Sequence, residues 1–202
     1  MSRSHRTERD RQREATRERL YQAALDVFRR EGVVHAKVDE IAANAGVSRA
    51  AFYFHFPSKQ DVLALRLARS QARISETIED LPALTPVDEV LNLAAQQIAS
   101  EWAEDPDLLR EVGMVAIQLT ARDIDEAALQ HPVAVALIPR FQSSVERGEL
   151  GDLIPPELLS EFFLVNLFGA ALTWCANPEI APLDQVLDAV VAFFLKGART
   201  PA

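Results

Sequence analysis

An all-α fold of about nine helices is predicted by three features of this 202-residue chain. Apolar residues recur at helical spacing from Leu20 onward, and strand-type alternation is almost missing. Prolines at 82, 86, 106, 132, 139, 155, 156, 178 and 182 cut the chain into helix-length pieces. With 49% hydrophobic residues, the chain has material for one small and one medium domain or for a single elongated helical unit.

The first apolar stripe is Leu20, Ala24, Val27 and Phe28, and it ends at Gly32, a residue suited to the left-handed position after a helix. Between Val38 and Lys59 the chain reads VDEIAANAGVSRAAFYFHFPSK. Val38, Ile41, Ala42 and Ala45 precede Gly46; Val47, Ala51 and Phe52 follow it, so both sets can face one small core. Gly46 is placed where a helix end turns left-handed, at a cost to any residue with a Cβ of roughly 1 kcal/mol. Ser48 supplies an N-cap oxygen for the next helix, and Ala42 is small where the two helices cross. This spacing is that of a helix-turn-helix, which sets its second helix into the DNA major groove. Phe56 and Pro57 close that second helix, and Ser58 with Asp61 opens a long one through Val62, Leu63, Leu65, Leu67 and Ile74.

Further helices are predicted near 87–104, 107–121, 124–147 with a break at Pro132, 156–176 and 183–197. The last two are apolar around most of their circumference, whereas a surface helix needs one apolar stripe. One face can pack on this subunit and the other on a second copy. That predicts a two-fold homodimer interface through Phe162, Val165, Gly169, Leu172, Val186, Val190, Phe193 and Phe194, with Gly169 allowing close backbone approach.

Charge is divided along the chain. Residues 1–73 carry 15 Lys/Arg against 9 Asp/Glu, and residues 74–202 carry 6 against 21, so a net charge of −9 conceals a basic end. DNA affinity depends on local phosphate neutralisation, so this acidity does not exclude nucleic acid. Seven arginines fall in the first twenty residues. An arm that extends the first helix along DNA is one reading, and a solvated tail over residues 1–8 is the other. No apolar signal core follows these charges, and Phe162–Ala176 falls short of the roughly 20 residues of a membrane span. The single cysteine, Cys175, cannot form an internal disulfide and suits the cytoplasm.

The stretch from Arg17 to Leu65 closely resembles the DNA-binding domain of the TetR family of bacterial transcriptional regulators. The marks are the Arg17–Leu20 opening, the Ala23-Ala24 pair, Phe28, Gly32, then IA, AGVS, FY-x-HF and SK-x-x-L. The resemblance covers about a quarter of the chain; the remainder matches in length and helical character only. It implies an N-terminal three-helix DNA-binding domain at 16–62 behind a basic arm at 1–15, and a ligand-binding and dimerisation domain at 63–202. It also implies that Ser48, Arg49, Ala50 and Tyr53 lie on the recognition helix and that His55 and Lys59 touch phosphates. Arg49 is the recognition-helix side chain able to grip guanine O6 and N7 bidentately. Where the family opens its second helix with a Thr-Ser type cap, this chain has Ala36-Lys37. Lys37 is then either a charge contact to phosphate or a solvated lysine beside a weak helix start.

For a small-molecule effector, the candidate pocket residues are Trp102, Met114, Gln118, Phe141, Phe163, Asn166 and Trp174, large apolar groups with a few polar ones. Each also has an ordinary core or hydrogen-bonding role open to it. His131, beside Pro132, is expected at a cap or on the surface, and Cys175 in the core. Enzyme chemistry finds no support: the histidines are scattered, and HExxH, GxSxG, clustered Cys/His ligands and a Gly-rich phosphate loop are missing from the sequence. The expected function is a cytoplasmic, ligand-responsive repressor without cofactor or metal. It binds a pseudo-palindromic operator on double-stranded DNA as a homodimer, away from any membrane, and is released by a small molecule. The alternative is a helical dimeric ligand-binding or adaptor protein with weakened DNA binding.

Overall fold

The computed structural model describes residues 8–122 and 131–199, excluding the side chains of 120–122. Among the described residues there are nine helices and no strand. They are α1 Glu8–Glu31, α2 Val38–Asn44, α3 Arg49–His55, α4 Lys59–Asp80, α5 Val87–Trp102, α6 Pro106–Arg122, α7 Pro132–Glu146, α8 Pro156–Trp174 and α9 Leu183–Ala198. Two compact units divide within α4, between Leu65 and Arg66, three residues beyond the boundary expected at 62/63.

In the first unit, α1 starts twelve residues ahead of its apolar stripe, so the helical reading of the arm applies from Glu8; residues 1–7 lie outside the described residues. Glu8 and Asp10 suit the positive end of the helix dipole. Leu20, Ala24, Val27 and Phe28 are buried, and Gly32 ends the helix at φ +75°. The turn after α2 forms a Schellman motif: Val47 N donates to Ala42 O at 2.9 Å, Gly46 N donates to Ala43 O at 3.0 Å, and Gly46 takes φ +68°. Ser48 Oγ then accepts from Ala51 N at 3.2 Å, opening α3. Beneath this turn lie Ile41, Ala42, Ala45 and Phe52, all buried. Burial of Phe52 alone contributes about 2–3 kcal/mol. Ser58 N donates to Asp61 Oδ2 at 2.7 Å and Asp61 N donates to Ser58 Oγ at 3.4 Å, a reciprocal cap at the start of α4.

In the second unit, α8 packs against α6, α7 and α9, and α9 also packs against α5. The rings of Phe141, Phe163 and Phe194 meet in one cluster, with centroids 5.2 to 6.5 Å apart. Gly113 lets α6 approach α8, because a Cβ there would lie 2.4 Å from Leu172 Cδ2. The helix expected from 124 has its described part beginning at Pro132, which suits a first helical position; 124–130 lie outside the described residues. Pro139 sits inside α7, and Arg140 reaches from there to the carbonyls of Ile78 at 2.6 Å, Leu81 at 2.7 Å and Pro82 at 2.7 Å. A guanidinium thereby satisfies the open C-terminal turn of α4 and its negative dipole end.

Helix α8 is long and apolar enough, by length and composition, to cross a membrane. In this fold Leu159, Phe163, Leu167, Ala171 and Trp174 line its buried side, and Ser160 Oγ donates to Ala134 O at 3.0 Å.

Candidate nucleic-acid interface

Helix α3 divides sharply by face. Phe52 is buried below it, while Ser48, Arg49, Ala50 and Tyr53 are exposed above, and His55 lies half-buried at its last turn. The same residues that a major groove would meet are thus the ones the domain core does not use. Arg49 Nη1 donates to Asp39 Oδ2 on α2 at 2.9 Å, and its Cζ lies 5.7 Å from the Tyr53 ring. Asp39 engages one amino group of the fork.

Lys37 is exposed in extended backbone at the start of α2 and makes no side-chain cap hydrogen bond. The helix forms without that cap: Lys37 O accepts from Glu40 N and Ile41 N, both at 3.1 Å, and Asp39 and Glu40 complement the dipole in the first turn. Arg30 on α1 pairs with Glu40, tying the two helices together.

The Lys59 side chain, expected from the sequence at a phosphate, lies against the loop between α1 and α2. Its ammonium donates to Val33 O at 2.5 Å, Ala36 O at 3.1 Å and Val34 O at 3.2 Å. All three N–H donors of the side chain are used on the loop between α1 and α2. Ala36, whose carbonyl Lys59 holds, directly precedes Lys37 at the start of α2.

The imidazole of His55 titrates below its ordinary value of 6.5, pushed down first by burial and then by the charges of Arg13 and Arg17. Phe54, 66% exposed, stands edge-on to His55 with centroids 5.2 Å apart.

The effector-pocket residues expected from sequence lie in different settings. Met114, Gln118 and Asn166 are exposed, and Asn166 Nδ2 donates to Phe162 O at 2.7 Å, one turn back on its own helix. Phe141 and Phe163 belong to the ring cluster, and Trp174 Nε1 donates to Ala181 O at 2.8 Å. Trp102 lies beneath Arg66, whose Cζ is 3.9 Å from the ring, and donates from Nε1 to Ser70 Oγ at 3.3 Å. Beside it, Glu101 accepts from Arg66 at 3.1 Å and from Arg73 at 2.9 and 2.7 Å. Sequence reasoning missed this cluster, since its members are spread over 36 positions with no local pattern. His131 is the N-cap residue of α7 and half-buried: Gln71 Nε2 lies 2.8 Å from its Nε2, its Nδ1 has no hydrogen-bond partner among the described residues, and burial pushes its pKa down. An open hollow of about 760 Å³ lies in the first unit, along α1 and the Asn44–Gly46 turn, where none of these residues is found. Cys175 is buried, as expected, and burial pushes its thiol up.

Residues 20–65 match the family model described as bacterial regulatory proteins, tetR family. The regulator AcrR of Shigella flexneri is 33% identical over 191 residues, covering 90% of this chain and 88% of AcrR. The chain belongs to the TetR family. Within that family its N-terminal segment is 50% identical over 58 residues to the transcriptional regulator SrpR of Pseudomonas putida, a match spanning 29% of this chain and 27% of SrpR. The fold is shared with FadR of Thermus thermophilus, a TetR-family transcriptional repressor solved with lauroyl-CoA. The superposition has a TM-score of 0.73, with 26% identity over 92% of this chain and 96% of FadR. For a TetR-family chain, the exposed face of α3 falls inside the family's matched segment.

Proposed function

We propose that this chain is a transcriptional repressor that binds a pseudo-palindromic operator as a homodimer and is released by a small molecule. The observation that carries the reading is the division of α3, with Phe52 below and Ser48, Arg49, Ala50 and Tyr53 above. Arg49 reads bases, Lys37 and His55 contact phosphates, and Lys59 fixes the loop on which Lys37 stands.

Dimerisation is supported by the apolar side chains that the second unit leaves outside. Phe162 is 48% exposed, Val165 67% and Phe193 75%, and nothing lies within 4 Å of a Cβ built on Gly169. Val186 and Val190 are half-buried beside them, whereas Phe194 turns into the ring cluster and Leu172 onto Gly113. Contiguous exposed apolar residues on two adjacent helices mark an interface between copies. A small-molecule effector is supported by the lauroyl-CoA in FadR, and repression by the description of FadR as a repressor. A coupling of about 1–3 kcal/mol between effector and DNA changes operator occupancy roughly five- to 150-fold.

The direct test is binding to the DNA beside the protein's own gene, measured by fluorescence anisotropy against a scrambled duplex, with the mass in solution measured in parallel. Selective binding by a species of twice the chain mass supports the reading. A monomer at micromolar concentration, or equal affinity for both duplexes, contradicts it.

A further inference from the structure

A second cationic group stands beside α3 in the first unit, on α1. Arg13 and Arg17 are four residues apart on one helix and therefore share a face. Arg13 Cζ lies 5.0 Å from the centroid of the Phe54 ring, and Arg17 Cζ lies 5.2 Å from that of Phe56. Four other arginines of this unit pair with acids: Arg11 with Glu8, Arg29 with Asp26, Arg30 with Glu31 and Glu40, and Arg49 with Asp39.

Phe54 is the most exposed of the aromatics on and just after α3, ahead of Tyr53 at 43%. Phe52 and Phe56 are 0% and 1% exposed, while Phe54 is 66% exposed and contributes little to the core. Its use is as a seat. A guanidinium stacked on a ring engages its face and keeps its N–H edge free, and that planar edge matches two phosphate oxygens. A seated side chain also has less rotamer freedom to lose when it binds. The cation of each arginine lies close enough to His55 to act on its titration, so the three groups occupy one neighbourhood at the end of α3.

We propose that Arg13 and Arg17, seated on Phe54 and Phe56, form a phosphate clamp that grips the DNA backbone next to the stretch read by α3. The clamp rests on the reading of α3 as a DNA-binding helix. It makes the exposed Phe54 a support for a phosphate contact and gives the α1 extension a reason to be helical and cationic.

The test measures affinity for a selected operator duplex and for a random duplex over a range of salt concentrations. Wild type, Arg13→Gln/Arg17→Gln, Arg13→Lys/Arg17→Lys and Arg49→Ala are compared. Each lost phosphate contact lowers the slope of log K against log[salt] by about 0.9. The glutamine pair is expected to lower the slope by up to about 1.8 per subunit on both duplexes, with the preference between them retained; the lysine pair, which keeps the charge, restores most of the slope. An unchanged slope for the glutamine pair, with Arg49→Ala still losing sequence preference, overturns the clamp and leaves α3 as the reader. Wild-type protein that binds neither duplex overturns the reading on which the clamp rests.

Discussion

Arg49 is joined to Asp39 before any DNA is present: its Nη1 donates to the carboxylate Oδ2 at 2.9 Å, linking the exposed face of α3 to α2. Both side chains are open to water, at 59% and 66% exposure, so the pair is weak and easily rearranged. Its value is directional, since one amino group is held by Asp39 while the guanidinium lies beside Tyr53 on the exposed face of α3. Replacing Arg49 by Ala is expected to lower affinity for the selected duplex roughly ten- to a hundredfold and to flatten base preference at one position per half-site. Competition binding with single-base operator variants checks this; equal loss on specific and random DNA removes Arg49 as the base reader.

Lys59 spends its three donors on the α1–α2 loop, so its loss is a stability effect first. Lys59→Met keeps the stem and removes three charge-assisted hydrogen bonds, for a destabilisation of about 1–3 kcal/mol. Urea denaturation of wild type and variant measures it. An unchanged midpoint combined with a lower salt slope would return Lys59 to direct phosphate contact.

Glu101 carries an acid dependence. Burial alone would raise its carboxyl, but hydrogen bonds from Arg73, Ser70 and Arg66 outweigh it and hold the group below its ordinary value of 4.5. The folded state therefore favours the charged form. Its contribution is complete above the unfolded value and is lost as pH falls through the folded one. Glu101→Gln is expected to lose about 3 kcal/mol at neutral pH, because Arg66 is only 8% exposed and is left without its anion. Below the ordinary value of 4.5 the gap to wild type narrows. Thermal melts across that range check both; a gap independent of pH contradicts the assignment.

His55 loses stability in the same direction as pH falls, for the opposite reason: the folded state favours its neutral form. Its depressed value means that the unfolded state takes up the proton first, so this residue disfavours folding as pH falls below 6.5, its ordinary value. Removing the charges of Arg13 and Arg17 is expected to move the imidazole back toward that value, leaving the burial contribution in place. A histidine titration followed by NMR in wild type and Arg13→Gln/Arg17→Gln measures the shift, and identical titration curves would separate the arginines from His55.

The first unit was the more legible half because its shape is written in short-range chemistry. Gly32, Gly46, Ser48 and the Ser58–Asp61 pair each act within five residues of themselves, and each sits in the structure as its residue type requires. The uncapped α2 start was legible too, since a missing hydroxyl is visible at Lys37. What the sequence concealed were partners far along the chain. Lys59 finds carbonyls 23 to 26 residues upstream, Arg140 caps a helix end about 60 residues away, and Arg66, Arg73 and Glu101 meet across 28 to 35 positions. A backbone carbonyl has no sequence signature, so a lysine that seeks three of them reads as an ordinary surface charge. The candidate pocket suffered from the same blindness. Of the two roles open to Asn166, the structure shows the hydrogen bond, to Phe162 O one turn back, with the residue exposed. Trp102 was recognised as important, but its partner is a guanidinium from α4.

The central claim is that a pair of α3 helices, each presenting Arg49, reads DNA. Selection of bound duplexes from a random pool by the full-length protein, followed by sequencing, tests it most directly. The account predicts enrichment of an inverted repeat whose half-sites are separated by about one helical turn, 10 to 10.5 base pairs, or a small multiple, with guanine at the position lost in Arg49→Ala. A pool that emerges without any enriched repeat, or one in which wild type and Arg49→Ala select the same sequence, contradicts it.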